Sequence, residues 1–221
     1  AMGALNLPMF HRAIWPEIRA ELCRSLSQFR LGIPGILNAL SRQDCSDTDL
    51  IDALLVQALI VNEKVPETFF EASKLGVGKE RLETFLANKH ITSVNTHAVY
   101  LLAACTALKV PCEELQRLVS VHIQKSDNDV FATAKIIGLI SHVGLGPQFQ
   151  TEISNFIESG MKNNDFSRKF LPSLLPAIVD SNFVNLVLAA QFTHADGMSA
   201  EKLLACTRAS GGEEKWLEKL G

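Results

Sequence analysis

Hydrophobic positions along this chain recur at helical spacing, and the runs that carry them alternate in character. Residues 50–61, 98–108 and 130–143 are apolar on most sides. Amphipathic runs follow. Phe149, Ile153, Phe156 and Ile157 stand at i, i+4, i+7 and i+8 with polar residues elsewhere. Leu115, Leu118 and Val119 make the same kind of stripe beside Glu113, Glu114 and Arg117. Each stripe is one face of a 3.6-residue period. A helix apolar all round must be covered on most sides, whereas a striped helix covers one neighbour. Alternation of the two kinds predicts stacked layers.

Apolar-Pro steps punctuate the pattern. They are Gly32-Ile33-Pro34, Lys64-Val65-Pro66, Lys109-Val110-Pro111 and Leu145-Gly146-Pro147. Proline suits the first helical position, where its missing N–H is not needed. The residue before it is pushed out of the α region. Each step therefore predicts the end of one helix and the start of the next, with almost no loop.

Capping residues agree with these boundaries. Ser46-x-x-Asp49 and Ser126-x-x-Asp129 resemble capping boxes with Asp in place of Glu, and Asn95 is placed to cap the helix before Pro111. Gly76 and Gly160 occupy C-terminal glycine positions. Single helices are predicted over 79–88 and 167–179, the latter strained by Pro172 and Pro176. A degenerate further copy runs from Leu188-Ala189-Ala190 through Asp196-Gly197 to Leu203, with a glycine turn in place of the proline corner. At the C-terminus, Trp216, Leu217 and Leu220 predict a short amphipathic cover for the end of the stack.

The expected fold is all-α: a right-handed α-solenoid, or superhelix, of stacked irregular helical hairpins. Ala1-Met2-Gly3 reads as the remnant of a cleaved tag. No linker rich in Gly, Ser or Pro divides the remainder, so residues 4–221 are expected to form one helical-repeat domain.

Composition narrows the class. Of 221 residues, 47% are hydrophobic and 20% charged, a globular balance able to bury a core. Net charge is −3, so the basic excess that a nucleic-acid backbone demands is absent globally. Five cysteines (Cys23, Cys45, Cys105, Cys112, Cys206), without a CxxC pair and without a glycosylation sequon, favour a reducing compartment. The longest uncharged stretch, residues 91–108, holds Thr, Ser, Asn and His. It reads as a buried helix and not as a membrane span.

Candidate chemistry is sparse. Gly76-Val77-Gly78-Lys79 lacks the spacing of a phosphate loop and a preceding strand; it reads as a helix C-cap and a short turn. Of six histidines (His11, His90, His97, His122, His142, His194), His97 and His122 share one hairpin with Cys105 and Cys112. Zinc ligands usually come in close pairs, which these do not form, so no metal or cofactor is expected. Catalysis gains ground only if His97 or His122 stands beside Cys105 or Cys112 in a cleft. Otherwise the chain is expected not to be an enzyme. Lys64, Lys109, Arg117, Lys125, Arg168 and Lys169 are candidates for a phosphate-reading strip, with Lys64 and Lys109 at equivalent corners. The competing reading is that lysines near helix C-termini complement the helix dipole.

The segment His97-Ala98-Val99-Tyr100-Leu101-Leu102-Ala103-Ala104-Cys105-Thr106-Ala107-Leu108-Lys109-Val110-Pro111-Cys112-Glu113-Glu114-Leu115 resembles one unit of the octotricopeptide and FAST-kinase-like (heptatricopeptide-type) helical repeats. Those units run as a Leu/Ala-rich helix, a short corner and a helix with Glu-Leu near its start. The pattern recurs over 143–157 and 188–203, and armadillo and HEAT repeats share its Leu/Ala positions. The resemblance implies an organellar protein that binds or processes RNA within a larger assembly, in the mitochondrial matrix if it holds and in the cytoplasm otherwise. The acidic balance departs from an RNA-binding member. The first expectation is therefore a scaffold for the proteins of a multi-subunit complex, with no membrane contact, and the second is an RNA-binding module of an RNA-processing or RNA-editing complex.

Overall fold

The computed structural model describes residues 15–28, 32–43, 47–125, 130–160 and 174, and among these every regular element is a helix. The α-helices are α1 (Trp15–Ser25), α2 (Ile33–Arg42), α3 (Thr48–Val61), α4 (Val65–Ser73), α5 (Lys79–Ala87), α6 (Thr96–Leu108), α7 (Glu113–Gln124), α8 (Val130–His142) and α9 (Gln150–Gly160). The all-α class expected from the periodicity holds. The chain divides into two compact units, residues 1–116 and 117–221, and the division falls inside α7. The Ser126 cap, residues 161–173 and everything after Leu174, including Arg168, Lys169, the degenerate copy and the Trp216 segment, lie outside the described residues, as do the tag remnant, Ser46, Cys45, Cys206, His11 and His194.

In the first unit the helix starts follow from local chemistry. Gly32 opens α2 in a left-handed conformation, with Pro34 in the first turn. Asp47, and not the Ser46 read from the sequence, caps α3: its side chain accepts the Leu50 N–H at 3.1 Å. Asn95 caps α6 as expected, accepting from Ala98 N–H at 3.0 Å. Pro34 and Pro66 stand within the first turn of their helices, where backbone N–H groups lack intrahelical partners. Pro111 instead precedes α7 by two residues, and Pro147 sits in a single 3-10 turn (Gly146–Phe149) ahead of α9.

Helix ends use the left-handed position. After α4, Gly76 (φ 72°) lets Val77 N–H reach back to the Ala72 carbonyl at 3.2 Å. Lys109 (φ 55°) does the same after α6, where Val110 N–H reaches Cys105 at 2.9 Å. Both are C-terminal motifs normally served by glycine. Lys109 takes the position at a conformational cost of about 1–2 kcal/mol.

Packing places α4 at the centre of the first unit, against α2, α3 and α6. The sequence pattern predicts a more amphipathic helix after the Pro66 corner. The structure buries Val65, Pro66, Thr68, Phe69, Phe70, Ala72 and Ser73, leaving Glu67 and Glu71 as its polar strip. Helices α4 and α6 run parallel and in register. Glu67 faces His97 near their N-terminal ends, and one turn on Phe70 meets Tyr100 with ring centroids 5.4 Å apart. The chain returns between them through α5, which buries Leu82 and sets Phe85 5.5 Å from the Phe69 ring.

In the second unit, α8 closes on Gly144 (φ 80°), with Leu145 N–H donating to Ile140 at 2.9 Å. The stripe read from the sequence is its core: Phe149, Ile153, Phe156 and Ile157 are all buried, together with Ile136, Ile137 and Ile140 of α8. Ser120 donates to Glu152, joining α7 to α9.

Candidate functional site

Among the described residues of the first unit, two concavities are bordered by α5. The larger is an open groove of about 900 Å3 between α3 and α5, closed at one end by the Gly76-Val77-Gly78 turn. Its floor is apolar (Leu59, Val77, Phe85), and its rim carries Lys79, Glu80 and Lys89. Arg81 crosses from α5 to α3, where Nη2 donates to Asp52 Oδ2 at 2.6 Å and Nε donates to Oδ1. This two-pronged bond, opposed by partial burial, holds the Asp52 carboxyl below the usual range and raises Arg81. The bond thus links α5 to α3 across the groove's wall.

Gly78 fixes the groove's end. It opens α5 at φ 102°, and a Cβ there would stand 2.8 Å from Leu55 Cδ1 and 3.8 Å from Phe69 Cδ1. The Gly76-to-Lys79 segment is therefore a C-cap and a turn, as its spacing indicates. Its second glycine is demanded both by backbone conformation and by the closeness of α3.

The smaller concavity, about 340 Å3, lies at the N-terminal ends of α4 and α6. Lys64 comes from the α3–α4 corner, Lys89 and His90 from the end of α5, and His97 from the first turn of α6. Asn62, Thr92, Ser93 and Asn95 add hydrogen-bonding groups, and no carboxylate lines the cavity. The positive ends of two helix dipoles lie at the same cavity as the two lysines, a setting that favours an anion. Outside this lining, Glu67 Oε1 is 4.0 Å from His97 Nε2 while its Oε2 is buried without a hydrogen-bond partner.

The expected lysine strip is rearranged. Lys64 and Lys109 both adopt left-handed backbone before Val-Pro, but Lys64 opens α4 whereas Lys109 closes α6. Because α4 and α6 are parallel, the two lysines sit at opposite ends of the pair, about 20 Å apart along the axis at 1.5 Å per residue. Arg117 and Lys125 belong to the second unit. Lys64 shares its cavity instead with Lys89, His90 and His97. Of these, Lys89 carried no periodic signal; its only mark is a place just past the predicted end of a helix.

The His97, Cys105, Cys112 and His122 group is also resolved. Cys105 is buried in α6 and Cys112 is half-buried ahead of α7, both as free thiols. His97 faces Glu67, and His122 lies in the second unit with a buried Nε2 that has no partner. Among the described residues no group of three or more His, Cys, Asp or Glu side chains is placed to hold a metal ion. Among them, too, no helix is long and apolar enough to cross a membrane. The chain matches no family model, and neither a curated protein nor a solved structure is significantly similar to it.

Proposed function

We propose that the protein is a non-enzymatic helical-repeat scaffold, an irregular α-solenoid, that docks partner proteins within a larger assembly. The observation that carries this is the α3–α5 groove. It combines an apolar floor with a charged rim, and its walls are held by the Arg81–Asp52 bond and the close Gly78–Leu55 approach. Rigid walls reduce the ordering cost of association. The stacking of α4 between α2 and α6 supports the solenoid reading, because every second helix is then a lateral neighbour. Of the charged rim groups Lys79, Glu80 and Lys89, two are cations, so the groove suits a partner segment with apolar anchors and an acidic flank.

The test is cross-linking mass spectrometry on the complex purified from its source through this chain. Cross-links from Lys79 and Lys89 to one partner are expected. Leu59→Glu with Val77→Glu should abolish them while leaving the helical circular dichroism intact. A chain recovered alone, or a partner retained by that double variant, would sink the reading. On this view the protein works in a reducing compartment, the mitochondrial matrix if the octotricopeptide or FAST-kinase-like resemblance holds and the cytoplasm otherwise.

The carboxylate-free cavity of Lys64, Lys89, His90 and His97 favours a second reading, an RNA-binding module of an RNA-processing complex. Labelled single-stranded RNA titrated against salt tests it. Lys64→Glu with Lys89→Glu should flatten the log–log salt dependence by about 1.4, at roughly 0.7 for each phosphate that a lysine no longer neutralises. Wild-type protein that ignores RNA at low salt excludes this reading and leaves the first.

A further inference from the structure

The two concavities of the first unit share a border. Phe85 and Lys89 line both the α3–α5 groove and the smaller cavity. The Phe85 ring lies 5.5 Å from that of Phe69, and Lys89 Nζ stands 5.3 Å from the Phe85 centroid. A path along α5 therefore runs from an apolar floor (Leu59, Val77, Phe85) to a basic end where Lys89 and Lys64 line the cavity. Its length is set by the helix. From Gly78 at the closed end of the groove to Lys89 the rise is about 16 Å at 1.5 Å per residue. An extended peptide covers about 3.3 Å per residue, so roughly five residues span it.

The two ends differ in charge. In the groove Arg81 is bonded to Asp52, and Glu80 shares the rim with Lys79. The smaller cavity has two lysines and no carboxylate in its lining, and among the described residues neither Lys64 nor Lys89 forms an ion pair. Thr92 and Ser93 add hydroxyl donors and Asn62 an amide, while the N-terminus of α4, which opens into the cavity, carries no side-chain cap. A phosphoryl group brings about two negative charges and three acceptor oxygens, which matches two lysines and this donor set better than a carboxylate does. About 340 Å3 accommodates one phosphorylated side chain. The apolar floor next to it favours a polypeptide over a polynucleotide, whose backbone is charged at every residue.

We propose that the two concavities together take a phosphorylated linear segment of a partner protein. An apolar side chain of that segment fills the α3–α5 groove. Roughly three to five residues away, a phosphoserine or phosphothreonine enters the smaller cavity between Lys64 and Lys89. This rests on the docking reading of the groove and adds a condition to it: docking depends on phosphorylation of the partner.

The test screens the intact purified chain against two immobilised peptide libraries, randomised around a fixed central phosphoserine or serine. The phosphoserine library is expected to be retained, with an apolar residue selected roughly three to five positions to one side. In fluorescence anisotropy the selected peptide should bind at least about tenfold more weakly when serine or glutamate replaces phosphoserine. Lys64→Gln and Lys89→Gln should each weaken the phosphopeptide about tenfold, with helical circular dichroism intact. Leu59→Glu with Val77→Glu should abolish the apolar preference. The comparison of phosphoserine with serine on the wild-type chain needs no variant to fold. Equal affinity for the two forms would overturn the proposal while leaving unphosphorylated docking in the groove, which cross-linking of the purified complex decides separately. Phosphopeptide binding undiminished by both lysine variants would also overturn it. So would retention of neither library, which together with binding of single-stranded RNA assigns the cavity to the RNA reading.

Discussion

Replacing Gly78 by alanine tests the closeness of α3 to α5 at the groove's end. Gly76 provides the control, because both glycines have positive φ (72° and 102°) but only Gly78 is crowded. A left-handed conformation costs a residue with a Cβ about 1–2 kcal/mol. Lower entropy of the unfolded alanine chain returns about 0.4–1 kcal/mol. Gly76→Ala, with nothing within 4 Å of the new Cβ, should therefore destabilise by no more than about 1.5 kcal/mol. At Gly78 the added methyl would stand 2.8 Å from Leu55 Cδ1. Leu55 is only 1% exposed and Phe69 beside it is 0% exposed, so the leucine has no solvent into which to swing. Overpacking of that kind adds about 1–3 kcal/mol. Gly78→Ala should thus cost about 2–4 kcal/mol in total. Urea titration followed by far-UV circular dichroism measures both variants, provided their m-values match. In a Leu55→Ala background the extra cost of Gly78→Ala should vanish, because the space it needs is then open. Equal costs for the two glycines, or an excess that survives Leu55→Ala, would refute the contact.

Other expectations follow from the caps and ion pairs. Asn95→Ala removes the bond to Ala98 N–H and should destabilise by about 1 kcal/mol in the same titration, whereas Asn95→Asp should be nearly neutral. Lys109→Gly should stabilise by up to about 1 kcal/mol, since glycine holds φ 55° without strain but gains freedom when unfolded; a loss of stability would mean that the lysine side chain contributes more than its backbone costs. Asp52 has its folded-state pKa depressed by Arg81, so its contribution is present above the unfolded value of about 3.9 and disappears as pH falls through the lower folded value. Both partners are about 40% exposed, which limits that contribution to below about 1 kcal/mol. The stability gap between wild type and Asp52→Asn should narrow as pH drops from 5 toward about 2, and a gap independent of pH would contradict the pairing.

Much of the local structure was legible in the chain. Asn95, Gly76, the stripe of Phe149, Ile153, Phe156 and Ile157, and the helix following Gly78 were all read from side-chain type and spacing. Such features obey short-range rules: a carboxamide one turn from an orphan N–H, or a residue without Cβ where φ is positive. The cap of α3 was misplaced by one residue, because Ser46 and Asp47 offer similar acceptors and only the observed backbone chooses Asp47.

Neighbour relations were a matter for tertiary structure alone. Hydrophobic periodicity states which face of a helix is apolar but not what covers it. For that reason the pattern placed a more amphipathic helix after Pro66 but could not show that α4 stands at the centre of the first unit. The chain reverses at each corner, so the end at which a corner emerges depends on the number of helices passed. Two helices, α2 and α3, separate Pro34 from Pro66, but three, α4, α5 and α6, separate Pro66 from Pro111. The odd count sends Lys109 to the far end from Lys64 and leaves Lys64 with Lys89, His90 and His97. Sequence spacing set where the turns come, while that parity decided which basic residues share a cavity.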